Sequence, residues 1–374
     1  MVAETAEAEA RVALVPEKVP ALTGLGYEVA VQPGAGAAAD FADDRYAESG
    51  ATVDAGALDD ADLVLSVQPL RTDQIRSLAP GTATVSFLPA GQALPVVREL
   101  RDCGITSFAL ELVPRISRAQ SMDALSSQAL VAGYRCAIVA AGLLRRFFPL
   151  NMTAAGTVRP AEVVVLGAGV AGLQAIATSK RLGAVVRAYD VRAAAAEEIR
   201  SVGAQAIELE LETLEGAGGY AREMTEDRAA RQRELLAPYI AAADALITTA
   251  AVPGRRAPVL VTRDMVLAMK PGSVVVDLAA ETGGNVEGAQ PGKVLAVGGV
   301  SLWGALNVPS QMPGPASTLL SQNIVNLVTL MTTDGVFAPD FDDEIVTGCC
   351  VTHGSHVRHA PTAQLLDPQE GVAP

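Results

Sequence analysis

The chain has 374 residues, half of them apolar and 19% charged, with a formal net charge of −14. That length exceeds the roughly 100 to 200 residues that one core usually serves, and the apolar share excludes a disordered polypeptide. The excess of acid repels phosphate backbones and anionic membrane surfaces, so no nucleic-acid partner is expected.

The opening stretch MVAETAEAEA is acidic and lacks the basic and apolar parts of a signal peptide. No apolar run reaches the ~18 to 20 residues needed to span a bilayer. Residues 129–144, with Arg135 near the middle, read as a buried helix, and an intracellular soluble chain is expected. Cys103, Cys136, Cys349 and Cys350 form no C-x-x-C pattern, so neither a structural metal nor a disulfide framework is indicated.

From residue 11, short β-branched or apolar runs alternate with helical patterns: 11–14 (RVAL), 27–31 (YEVAV), 62–66 (DLVLS), 82–87 (TATVSF) and 105–110 (ITSFAL), with a helical stretch at 93–102. A second series holds 162–166 (EVVVL), 185–189 (VVRAY), 206–209 (AIEL), 245–249 (ALITT), 273–277 (SVVVD) and 294–297 (VLAV). Such alternation predicts parallel sheets covered by helices. The fold class is therefore α/β with two domains, 1–127 completed by 313–374, and 128–312. Residues 122–148 read as the long helix joining them, and 315–331 as a helix crossing back.

Gly167-Ala168-Gly169-Val170-Ala171-Gly172 follows the strand at 162–166 and opens an apolar helix over 173–182, and Asp190 ends the next strand. The first glycine permits the tight turn, the second the approach of a pyrophosphate, and the third close packing of helix on strand. Dinucleotide binding is expected, with Asp190 on the ribose 2′-hydroxyl favouring NAD(H). Arg192 is the residue that would accommodate a 2′-phosphate instead. Gly34-Ala-Gly36 lacks the third glycine and a downstream acid, and reads as a turn.

Residues 248–254 (TTAAVPG) and 277–285 (DLAAETGGN) follow strands, so they either line the nicotinamide end of the site or are ordinary turns. The polar, Gly-rich stretch 216–233 is either an exposed loop with a polar helix or a mobile flap. The histidines, His353, His356 and His359, lie together in what reads as a solvated tail, and no lysine stands where a cleft is expected. Hydride transfer between two nicotinamides requires no general base, and such a site suits it.

Residues 114–128, PRISRAQSMDALSSQ, place two arginines, an aspartate, two glutamines and four serines between a strand and the long helix. One or two of these groups serve as helix caps, with Arg115 free to pair with Glu111, which leaves the others without a local structural task.

This block, extended to PRISRAQSMDALSSQALVAGYR, is one of several motifs that resemble the NAD(H)-binding subunit of proton-translocating NAD(P) transhydrogenases, in the alanine dehydrogenase/transhydrogenase family. The others are MTAAGTV, VLGAGVAGLQAIATSKRLGAVVRAYDVR, GGYAREM, ITTAAVPGRRAPVLVT and MKPGSVVVDLAAETGGN. The similarity runs from about Arg11 to the C-terminus.

The resemblance implies two Rossmann-like domains with a cofactor cleft between them, a homodimer, and a Re/Si-specific transhydrogenase alpha subunit. It implies that Arg115 holds the nicotinamide carboxamide, and that Gln120, Asp123 and Ser126 orient the ring against NADP(H) on a partner subunit. Val191, Thr249 and Ala250 join Asp190, Arg192 and the glycine turn as NAD(H) contacts, and Tyr220 belongs to a loop closing over the cofactor. Proton translocation falls to membrane-embedded partner subunits, which would hold this chain at the cytoplasmic face of the cell membrane.

Alanine dehydrogenase shares the fold, but its substrate pocket uses a lysine and a histidine that residues 65–69 (LSVQP) and 86–90 (SFLPA) lack; Arg11 is retained. A non-catalytic NAD sensor is the other alternative. Two features depart from the pattern. The first apolar strand is incomplete, which suggests upstream residues in the native protein, and Ser66 stands where the family often has a lysine.

Overall fold

A computed structural model describes residues 1–211, 226–251 and 256–366. The chain divides into two compact units, Met1–Gln128 with Pro309–Pro374, and Ala129–Val308.

In the first unit, the strands Leu63–Leu65, Ala83–Ser86 and Thr106–Ala109 pair in parallel in that order. Cys350–His353 then adds antiparallel to Thr106–Ala109, and His356–Val357 forms the edge. The segment carrying the three histidines is thus sheet and its flank, not the solvated tail expected. His353 packs its ring 4.2 Å from that of Phe341 and hydrogen-bonds Thr106 Oγ1 through Nδ1. Burial and the nearby Arg358 charge hold its pKa below the ordinary imidazole value.

Residues 11–14, expected as a strand, have no ladder. Three N–H groups of residues 12–15 go to side chains instead: Val12 to Ser317 Oγ (2.9 Å), Leu14 to Met1 Sδ (3.2 Å), and Val15 to Ser321 Oγ (3.1 Å). The apolar run is buried against the Pro313–Leu330 helix, so its pattern reports burial and not strand pairing. The place next to Leu63–Leu65 is taken by the first residues. Val2 N–H donates to Leu65 O, while Met1 O accepts from Gln32 N–H.

The second unit holds a seven-stranded sheet in the order Gln205–Ala206, Val185–Tyr189, Glu162–Leu166, Ala245–Thr248, Val274–Asp277, Val300–Gly304, Val294–Val297. The first six run parallel, and valine-rich runs suit strands buried on both faces. The strand expected at 206–209 is shorter, at Gln205–Ala206. Val294–Val297, expected to continue the parallel series, turns back antiparallel on a strand the pattern did not reveal, Val300–Gly304. Gly298 and Gly299 both take positive φ (55° and 86°), the requirement of a two-residue hairpin turn matched to strand twist.

The long helix runs over Ala124–Leu143, inside the expected 122–148. By length and composition it is apolar enough to cross a membrane. It carries Arg135, however, and Ala132, Cys136, Ala137 and Ala140 are built into the core of the second unit. At Gly133 this helix meets the Val170–Arg181 helix so closely that a Cβ would overlap Ala171 O.

Gly133→Ala should therefore lower stability by about 1 to 3 kcal/mol through overpacking. Gly142→Ala on the same helix, with no atom within 4 Å of the new methyl, should raise it by about 0.5 to 1 kcal/mol through helix propensity. Urea denaturation of the two variants compares the signs directly.

Candidate functional site

The chain leaves strand Glu162–Leu166 outward to Val185–Tyr189 and Gln205–Ala206, then returns to Ala245–Thr248 on the other side of the first strand. This reversal makes a switch point at the carboxyl ends of Glu162–Leu166 and Ala245–Thr248, where open α/β sheets bind ligands.

Gly167 stands there with φ 98°, and a Cβ on it would lie 2.7 Å from Thr249 Oγ1 and 3.0 Å from Ala250 N. Thr249 Oγ1 in turn donates to Gly167 O (3.1 Å). A Cβ on Gly172 would overlap Gly167 O, whereas one on Gly169 would meet nothing within 4 Å. Gly169 is the N-cap of the Val170–Arg181 helix and offers no capping side chain. The open space over Gly169, beside the positive end of a helix, fits a pyrophosphate. Ala168 and Ala171 are buried, and Val170 is exposed beside them.

Asp190 follows strand Val185–Tyr189, and its Oδ2 accepts the Ala168 N–H at 2.7 Å. Arg192 surrounds the rest of the carboxylate: its N–H and Nε donate to Oδ1 (both 2.9 Å), and Nη2 reaches Oδ2 at 3.3 Å and Ala168 O at 3.1 Å. Asp190 hydrogen bonding and charge raise the Arg192 pKa against the opposing effect of burial. The carboxylate has about four acceptor positions, and these four contacts occupy them. Val191, between the two, is half-buried and packs on the core of the second unit.

Two residues at the same end of the sheet bound the stretch 277–285, which the sequence left open as site lining or ordinary turn, without assigning either residue a role of its own. Asp277 ends its strand fully buried and accepts from Thr248 Oγ1, Ala279 N–H and Val286 N–H, each at 3.0 Å. Burial raises its pKa, and the hydrogen bonds oppose that. Asn285 is also fully buried. Its Oδ1 accepts from Ala250 N–H (2.9 Å), and its Nδ2 donates to Ala250 O and Pro258 O (both 2.8 Å). The available signal was an acid closing a valine strand and an asparagine after Gly-Gly, both of which also read as turn chemistry.

In the first unit, Arg115, Gln120, Asp123 and Ser126 all line one open cavity of about 410 Å³, with Pro114, Ile116, Ser117 and Ala119. Ser117–Met122 forms a 3-10 turn, and Asp123 then occupies the N-cap position of the Ala124–Leu143 helix. Its Oδ1 accepts the Ser126 N–H (2.8 Å) and its Oδ2 the Ser126 hydroxyl (2.6 Å). Arg118 instead pairs with Asp343 (2.6 Å). Glu111 accepts the Leu88 N–H (2.8 Å), and burial raises its carboxyl to about 7.

Gln128, the last residue of the polar block, is buried and bridges Arg11 Nη1 (2.9 Å) to Ala316 O (3.0 Å). Arg11 also makes a two-pronged pair with Glu9, through Nε at 2.8 Å and Nη2 at 2.6 Å. Burial alone would raise the Glu9 pKa, but the Arg11 hydrogen bonds and charge outweigh it and hold it at about 2.

Tyr220 lies outside the described residues, as does all of 216–225; residues 226–233 begin the Glu226–Ala242 helix. Among the described residues no group of three or more His, Cys, Asp or Glu has metal-holding geometry.

The family described as "Alanine dehydrogenase/PNT, N-terminal domain" matches residues 1–132, and that described as "Alanine dehydrogenase/PNT, C-terminal domain" matches 136–360. The chain is 47% identical over 364 residues to an NAD(P) transhydrogenase alpha subunit chain of Rhodospirillum rubrum, covering 94% of this chain and 95% of the relative. It superposes on the crystal structure of a transhydrogenase from Sinorhizobium meliloti with a TM-score of 0.88, at 44% identity over 95% of this chain and 98% of that one. An L-alanine dehydrogenase superposes with a TM-score of 0.81, at 25% identity over 98% of both chains. With two α/β units, a glycine turn at the switch point and similarity along nearly its whole length, the chain belongs to the alanine dehydrogenase/PNT family.

Proposed function

We propose that the chain is the NAD(H)-binding alpha component of a proton-translocating, Re/Si-specific NAD(P) transhydrogenase, transferring hydride reversibly between NADH and NADP+ held by a partner subunit. What carries this reading is the glycine turn at the switch point, in a chain 47% identical over 94% of its length to a transhydrogenase alpha subunit. The coupled proton path would lie in membrane-embedded partners, with this chain a homodimer at the cytoplasmic face of the membrane.

The dinucleotide pyrophosphate would rest over Gly169 against the N–H groups of the Val170–Arg181 helix. The ribose 2′-hydroxyl would donate to Asp190 by replacing its longest contact, Arg192 Nη2 at 3.3 Å. A 2′-phosphate there would meet the Asp190 charge, which favours NAD(H). Thr249, Ala250 and Val191 flank that path.

Arg115 would donate to the carboxamide oxygen, and Gln120 and the Asp123–Ser126 pair would fix the plane of the nicotinamide. Bound NADH supplies the hydride. The contribution of the protein is then alignment, which lowers a barrier by several kcal/mol on the order of that seen in well-oriented reactions.

The deciding experiment mixes the purified chain and NADH with a separately expressed NADP(H)-binding transhydrogenase domain, and follows reduction of NADP+. Transfer that needs both proteins supports the reading. NADH formation from L-alanine and NAD+ by the chain alone would replace it with alanine dehydrogenase activity, and NADH binding without either reaction would leave a sensor.

Two sets of variants test the division of roles. Asp190→Ala should weaken NADH about tenfold or more while changing NADPH less, as charge-assisted hydrogen bonds of roughly 1.5 to 3 kcal/mol predict; equal losses by titration calorimetry would refute the ribose role. Asp123→Asn and Arg115→Ala should slow transfer about tenfold or more, as loss of alignment predicts, with NADH affinity largely kept. Abolished NADH binding in these two would mark them as cofactor-retaining.

A further inference from the structure

We infer that Asn285 is a positioning residue of the dinucleotide site, acting through the backbone of Ala250, an assignment that rests on the NAD(H) reading above. Ala250 forms one wall of the glycine turn: its nitrogen lies 3.0 Å from where a Cβ on Gly167 would stand. Among the described residues nothing in the sheet ladder fixes that wall: strand Ala245–Thr248 has ended and the Thr249 N–H makes the last bond to Leu166 O.

Asn285 replaces the ladder. One side chain holds both backbone polar groups of residue 250, accepting the Ala250 N–H and donating to the Ala250 carbonyl, as a neighbouring strand would. Its second amide hydrogen ties Pro258 to the same point (2.8 Å), and its own carbonyl accepts the N–H groups of Leu260 (2.8 Å) and Val261 (3.0 Å). The partners fix the chemistry required at 285: one N–H and two carbonyls converge there. An amide satisfies all three, and a carboxylate opposes two of them.

Asn285 is itself delivered by a turn that Asp277 organises. Gly283 and Gly284 take φ of 109° and 79°, a Cβ on Gly284 would crowd Asp277 Oδ2 at 3.0 Å, and the residue after Asn285, Val286, donates its N–H to that oxygen. The line of contact runs Asp277, the 283–286 turn, Asn285, Ala250, Gly167. Each link is a hydrogen bond, a chain connection or a steric contact within one unit. Displacing Asn285 therefore moves the wall of the glycine turn without touching any group that would contact NADH directly through its side chain.

The test uses the full chain with Asn285→Asp, Asn285→Ser and, as a stability control, Asp244→Asn. Asp244 is buried at the opposite, amino end of the same sheet's strands, where it accepts from Arg146 (2.6 Å), Lys270 (3.0 Å) and the Glu162 N–H (2.9 Å). All three variants should lose thermal stability, but only the two at 285 should raise the NADH Kd, by about tenfold, measured by calorimetry at a temperature where each is folded.

Asn285→Ser decides the matter if Asn285→Asp does not fold. A Kd within about twofold of the unaltered chain in the folded 285 variants, well short of the tenfold expected from a lost buried hydrogen bond, overturns the inference alone. Failure of the unaltered chain to bind NADH overturns the NAD(H) reading, and the inference with it.

Discussion

The second unit depends on one steric constraint: the first turn of the Val170–Arg181 helix is pressed against the end of strand Glu162–Leu166 until a methyl group no longer fits at Gly172. Close-packed interiors have no slack to absorb that methyl. The contact aims the start of the helix at the sheet's switch point, and Thr249 fills the remaining gap with a hydroxyl bonded to Gly167 O. Gly169 alone among the three glycines faces open space, so the same packing that closes two positions leaves open the third, where the proposed pyrophosphate would rest.

The first unit is held by a different device. Glu9 and Arg11 are buried together, and Arg11 reaches Gln128 near the start of the long helix, while Gln68 and Ser310 also bond Glu9 (2.8 and 3.0 Å). Burying such a pair is costly, and removing one partner typically costs about 3 to 5 kcal/mol because the other charge is stranded. The pair joins four separate segments of the first unit. It ties the N-terminal segment, the loop after Leu63–Leu65, residue 310 and the polar block to one point. The lining of the cavity at Arg115, Gln120 and Asp123 ends at Ser126, two residues before Gln128, so that end of it is tied to the same point.

Where a feature depended on local chain chemistry, it was legible in the sequence. The glycine spacing, the valine strands and the terminal acid at Asp190 each state a backbone or burial requirement that neighbouring residues meet. Residues 11–14 misled because burial on the Pro313–Leu330 helix and pairing in a sheet demand the same apolar residues; the serines that take the N–H groups there lie about 300 positions away. The Val300–Gly304 strand was marked by Gly298-Gly299, a hairpin signal hidden because the surrounding series was parallel. Asp123 read either as a helix cap or, through the family resemblance, as a ring-orienting residue beside Ser126, and its bonds to Ser126 are those of the cap.

The contrast between positions 277 and 285 shows how such unreadable residues are chosen. Two N–H groups and a hydroxyl converge on 277, and an acceptor-only carboxylate can meet all of them. At 285 a donor and two carbonyls converge, and a carboxylate would face like partial charge. Exchanging the two side chains would preserve composition and nearly preserve volume, yet leave buried polar groups unmatched at both places, each at about 1 to 3 kcal/mol. The choice of aspartate or asparagine is thus dictated by loop backbones brought together from separate segments of the chain. Only after the sheet has set the ends of those segments does either residue have a definite set of partners, which is why the loops beside the glycine turn are specified by the fold and not by their own sequence.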